Sequence, residues 1–197
     1  MWHIATGVLF RPPYCPCILM ASAFQLHVLP LRWTDLGYRY TMPEVWPQLA
    51  QADLSQAEFV FDESDIRAYD WEHQEIWLAH ATVVRLARTR TDRLLRDAIG
   101  RAFVATLARD RLYGGLFYNE GGAAAIRFPV IHALGEPISV LRIRPALGHG
   151  WTPDEPYLAA QCAAIANPVL ADWLAQEELI RSIPCANRPR DPWARDP

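Results

Sequence analysis

The chain contains no lysine: all 19 basic residues among its 197 are arginine. GC-rich codons produce such usage, so it carries no function by itself, although arginine pairs bidentately with carboxylates and phosphates better than lysine does. An excess of charge is also missing. The net charge is −3 and the pI about 6.1, which excludes a global field for binding polyanions. No apolar run approaches the ~18–20 residues of a helical membrane span. The four cysteines are Cys15, Cys17, Cys162 and Cys185. Cys15-Pro16-Cys17 is too tight for the C-x₂-C of a zinc knuckle, and no histidine follows at zinc-finger spacing. No metal site is expected there, and sequence alone does not say whether Cys162 and Cys185 pair. The phrases G-x-S-x-G, H-E-x-x-H, the EF-hand loop and G-x-G-x-x-G do not occur, so no cofactor is expected and no complete catalytic set can be assembled.

What is present supports a folded domain. Apolar residues make up 51% and charged residues 21%, enough for a real core. Residues 15–31 are apolar and include Ala21-Ser22-Ala23, an A-x-A pattern of the kind signal peptidase cuts. Prolines 12, 13 and 16 interrupt that stretch, and Arg11 is the only arginine before it. Residues 1–54 are therefore read as a Pro- and Trp-rich N-terminal arm packed on the domain. A degenerate signal segment is the alternative, and it leaves the location open between the bacterial envelope and the cytoplasm.

The ordered heart is expected at 55–145. Ala57–Phe61 and Glu75–Leu78 read as strands, with Asp62-Glu63-Ser64-Asp65 as a turn offering natural N-caps. A short helix fits between Pro47 and Ala57. Residues 81–99 read as a helix with Val84, Ala87, Leu94, Leu95 and Ala98 on one face and a break near Thr89–Asp92. Strands follow at Arg101–Leu107, Arg111–Tyr118, Ile126–His132 and Ile138–Ile143, the last with Arg142 and Arg144 pointing outward. The class is α+β: a mostly antiparallel sheet with one helix packed on a face, an N-terminal arm and a C-terminal helical extension. Residues 146–197 read as a linker, a helical stretch at 157–182 broken at Pro168, and a terminal tail.

Four stretches could carry chemistry. Asp62, Glu63, Asp65, Asp70, Glu72 and Glu75 crowd around His73; Glu63, Asp65 and His73 could serve a small metal-dependent hydrolase, or the stretch could be caps and a solvated strand edge. Residues 85–101 set six arginines against two aspartates. That stripe could meet nucleic acid, or be a solvent face with i,i+4 pairs. The histidines are scattered, without a nucleophile to complete a triad. Finally Leu112–Gly122 places Tyr113, Phe117, Tyr118 and Asn119 around glycines. The doublet Gly114-Gly115 inside a strand suggests a bulge or a close backbone approach. Such a strand could accept an added peptide strand, or be a hairpin with core aromatics.

Asp65-Ile66, Ile76-Trp77-Leu78, the following helix, Phe103–Leu107, Leu112-Tyr113-Gly114-Gly115 and Pro129-Val130-Ile131 together resemble the P1 head subdomain of the SecD protein-export family. Arg109-Asp110-Arg111 stands where that family has an Asp-Gly turn, and Gly121–Ala125 near its small-residue segment. The resemblance covers about 80 of the 197 residues. It implies an α+β domain of the bacterial envelope that contacts polypeptide, and it carries over no catalytic residue. The expectation is a non-enzymatic module with a peptide or protein partner, nucleic acid being the less favoured one.

Overall fold

The computed structural model describes residues 24–89, 91–96, 100–118, 126–145 and 162–183. Its framework is a mixed eight-stranded sheet: β1 (Phe24–Arg32), β2 (Phe59–Asp62), β3 (Ile66–Asp70), β4 (Glu75–Leu78), β5 (Arg101–Leu107), β6 (Asp110–Phe117), β7 (Val130–Leu134) and β8 (Val140–Arg144). The spatial order is β2-β1-β5-β6-β7-β8-β4-β3. Every pair is antiparallel except β6 with β7. The α+β class holds.

The two end strands of this sheet, β2 and β3, are consecutive in the chain. Only the 3₁₀ turn Glu63–Asp65 separates them. Three residues cannot span a flat eight-stranded sheet, whose strands lie about 4.8 Å apart. The sheet must curl until its ends nearly meet, and the result is nearly a barrel. Among the described residues no ladder joins β2 to β3, so one seam stays open.

Alternation along the strands builds two main cores. Phe24, Leu26 and Val28 of β1, Phe103, Ala105 and Leu107 of β5, and Tyr113 and Phe117 of β6 fill the interior. Ala102, Val104, Leu116 and Val130 face outward into a second cluster. Helices cover both sides, which corrects the expectation of one helix on one face. On the outside lies α1 (Met42–Gln51), through Met42, Val45 and Leu49. The interior receives α2 (His80–Thr89), α3 (Thr91–Leu95) and α4 (Pro168–Gln176), through Leu86, Leu95, Leu170 and Leu174.

Several local expectations shift. The 1–54 arm conceals β1, an internal strand between β2 and β5, so the sheet begins at residue 24 and not near 55. The first helix starts at Met42 because Thr41 N–H donates to Glu44 Oε2 (3.1 Å), leaving Pro47 inside it. In α2 the buried side is Thr82 and Leu86, while Ala87 is exposed. The break at 89–91 stands, with Thr89 Oγ1 and Thr91 Oγ1 2.8 Å apart. Pro168 is the first residue of α4, capped by Asn167 Oδ1 accepting from Val169 N–H at 2.9 Å. Gly114-Gly115 does mark a close backbone approach. A Cβ on Gly115 would stand 1.8 Å from Pro129 O, where β7 begins to pair with β6.

Candidate functional site: the β3 edge

The outer face of β3, β4, β8 and β7 carries an unusual row. Asp70 lies opposite Glu75, Glu75 opposite Arg142, and Arg142 opposite His132. Period-two alternation aligns the four on one face. Asp70, Glu75 and His132 are all at most 1% exposed. Burial on this scale requires partners for each charge. Arg142 supplies one, donating from Nε (2.8 Å) and Nη2 (2.6 Å) to Glu75 Oε1, while Trp77 Nε1–H donates to Glu75 Oε2 at 3.2 Å. Arg142 was expected to point outward into solvent; it does lie on the outer face, but as half of this buried pair. Asp70 Oδ1 accepts the His73 N–H and stands 3.1 Å from His73 Nδ1. The row beside it, Ala68, Trp77, Val140 and Leu134, is apolar, and Ile183 packs on it.

That row ends at β3, the sheet edge, where a second stretch of the chain is docked. Residues 179–183 leave α4 through Glu178, whose φ is +54°. They then run parallel to β3, with Ile180 paired to Tyr69. Tyr69 N–H donates to Leu179 O (2.8 Å) and Tyr69 O accepts from Arg181 N–H (3.0 Å). Asp70 extends this ladder with a side chain, its Oδ2 accepting from Ile183 N–H at 3.3 Å. Leu179 and Ile180 pack against the interior cluster, while Arg181 and Ser182 are exposed. Tyr69 itself is fully buried beside Tyr113, and burial pushes both phenols above their ordinary value. Strand β3 is thus paired to β4 at four positions on one side and carries the docked segment through two backbone hydrogen bonds on the other.

The residues singled out from sequence fall elsewhere or into other roles. Tyr113 and Phe117 lie in the interior core and Tyr118 in the outer one, all at most 2% exposed. Strand β6 pairs with β5 from Asp110 to Leu116, and with β7 only at Leu116 and Phe117. Strands β5 and β6 form the hairpin with core aromatics at 111–118. Asn119 lies outside the described residues, as do Cys15, Cys17, the Ala21–Ala23 stretch, Gly121–Ala125, the 146–161 linker and the tail beyond 183. Cys162 is exposed and Cys185 is outside the described residues.

Glu63, Asp65 and His73 are not drawn into one ligand set. Glu63 is exposed. Asp65 turns toward α2, where its Oδ1 accepts from Thr82 Oγ1 (2.6 Å) and Arg85 Nη2 and its Oδ2 from Asp62 N–H (3.2 Å). His73 faces Asp70 instead. Among the described residues no group of three or more His, Cys, Asp or Glu could hold a metal ion. The arginine stripe is likewise divided. Arg85 pairs with Asp65, Arg101 with Glu58 at 3.2 Å, and Arg96 donates to Gly135 O.

The sequence pointed to Asp70, Glu75 and Arg142 but not to Tyr69, and its helical reading of 157–182 is corrected at the end, where the helix stops at Gln176 and Ile180 bridges Tyr69 in extended form. The available signal was the alternation in Ile66–Asp70, which a turn reading of 62–65 obscured. Among the described residues no helix is long and apolar enough to cross a membrane. No protein family, curated protein or solved structure matches this chain.

Proposed function

We propose that the protein is a non-catalytic binding module that takes an extended segment of polypeptide along β3 by main-chain pairing. One observation carries the reading: the outward N–H and C=O of Tyr69 already hold a chain segment in strand geometry, and Asp70 adds a side-chain acceptor to the same ladder. Strand addition of this kind draws affinity from backbone bonds and specificity from the pockets that take alternate side chains. The buried Asp70–Glu75–Arg142–His132 row supports it by fixing the edge strand to three others, so little order is lost when a ligand arrives. The likeness to the SecD head, a domain that contacts polypeptide, agrees with a polypeptide partner.

The test is titration of a pool of unstructured peptides into the isotope-labelled full chain, followed by amide chemical shifts. Saturable shifts concentrated at residues 66–73 and 179–183 are expected. Shifts that saturate only at the α2–α3 arginines or in the 33–41 loop would move the binding site away from β3, and no shift with any peptide would remove the reading.

A further inference from the structure

The segment already seated on β3 describes the ligand. Resting on the reading of β3 as a docking strand, we infer that residues 179–183 are a built-in pseudo-ligand. The external partner is then an extended peptide running parallel to β3, with two adjacent apolar residues followed, after two intervening residues, by a third.

The pattern comes from where each side chain of Leu179-Ile180-Arg181-Ser182-Ile183 goes. Leu179 and Ile180 pack on the interior cluster at the open seam. Ile183 crosses to the outer face and packs with Ala68, Trp77, Leu134 and Val140. Between them Arg181 and Ser182 face solvent, so those two positions place no demand on the side chain, although the first of them must keep the N–H that bonds Tyr69 O. The direction is set by the parallel pairing of Ile180 with Tyr69, and the register by the bonds of Leu179 O and Arg181 N–H to Tyr69. Asp70 then demands an N–H at the fifth position, which excludes proline there.

The hold on this segment is also of a kind that a competitor can replace. Its strand pairing is a single bridge with two backbone bonds, whereas β4, on the other side of β3, pairs at four positions. An external peptide meets an edge that is free only part of the time, and its apparent affinity is reduced by that fraction. Weakening the internal segment without touching β3 must therefore strengthen external binding.

Arg181→Pro does this selectively, because it deletes the N–H that bonds Tyr69 O while the Arg181 side chain is exposed. The probe is a fluorescein-labelled peptide of the sequence ELIRSI, with a scrambled control and a control carrying serine at all three apolar positions. In full-length R181P, ELIRSI is expected to bind roughly three- to tenfold tighter than in the unmodified chain, the range set by one main-chain hydrogen bond. Neither control should gain. Equal affinity of ELIRSI for both forms, or an equal gain by the serine control, overturns the pseudo-ligand while leaving β3 as a docking edge. Absence of binding by any peptide to either form removes the docking reading itself. Should R181P not fold, exchange of the Arg181 and Ile183 amides in the unmodified chain decides. Excess ELIRSI is expected to speed their exchange as the segment is displaced, and unchanged exchange at saturating peptide overturns the inference.

Discussion

His27 sits on the outer side of β1, nearly buried, with its Nε2 3.4 Å from Thr106 Oγ1. Burial depresses its pKa below the ordinary 6.5, and the Arg111 guanidinium pushes it down further. The unfolded chain therefore holds more protons on this residue than the folded one wherever the pH is near or below 6.5. Its neutral form favours folding fully above that value, and the advantage is lost as the pH falls through it toward the depressed folded value. The urea midpoint is expected to be higher at pH 8 than at pH 5.5, and His27→Gln should remove part of that difference. An unchanged pH slope in the variant would show that other groups set it. Arg111 meanwhile has its own task, donating to Leu49 O (2.6 Å) and Ala52 O (2.7 Å) and closing the end of α1. Residues of this kind are partly legible in the sequence. Gly114-Gly115 announced a close approach, but nothing local named Pro129 O as the atom approached.

At the scale of elements, legibility followed local sequence signals. Strand β5 and the β8 region were found because short alternating apolar runs are a local signal. Strand β1 was hidden because it lies almost wholly within the apolar stretch 15–31, whose prolines and A-x-A pattern suggested an arm or signal segment; burial on both faces is not the reason, since β5 is buried from Ala102 to Leu107 and was legible. The charged row across β3, β4, β8 and β7 was invisible for a different reason: its members are polar residues on a buried face, the reverse of the usual pattern. Its energetics follow from the Glu75–Arg142 pair. Arg142→Met leaves a fully buried carboxylate without its cation and is expected to cost about 3–5 kcal/mol in denaturant unfolding. Adding Glu75→Gln, which retains an acceptor for Trp77 Nε1–H, should recover a good part of that loss. A double variant as unstable as the sum of the two single ones would mean the pair is not the coupled unit that the geometry describes.

Across the whole molecule, the contacts that bring the candidate site together are mostly non-local, Asp70–His73 and Glu75–Trp77 apart. Ile183 and Asp70 are separated by 113 positions, and Arg142 and Glu75 by 67. No window of sequence contains such a contact, so composition and spacing could offer a polypeptide-binding reading without pointing to β3. The closure of the sheet shows the same limit. Asp65 could be read from sequence as a metal ligand or as a cap, and its position at the turn between the two end strands gives it a mechanical role. It binds the turn through Asp62 N–H and ties it to α2 through Thr82 and Arg85, whose guanidinium also lies 4.7 Å from the Phe59 ring of β2. One side chain thus joins the corner of the sheet to α2. Asp65→Ala should loosen both edges together: amide exchange in β2, β3 and the start of α2 is expected to accelerate in step, while β5 and β6, internal to the sheet, keep their protection. The loss of stability should be about 1.5–3 kcal/mol, the range for hydrogen bonds to a charged group. Faster exchange confined to residues 62–65 would make Asp65 a local cap only. A thermal midpoint that rises with added Mg²⁺ or Zn²⁺ in the unmodified chain, and not in Asp65→Ala, would instead return the residue to metal binding, since a ligand of the folded state must raise that midpoint.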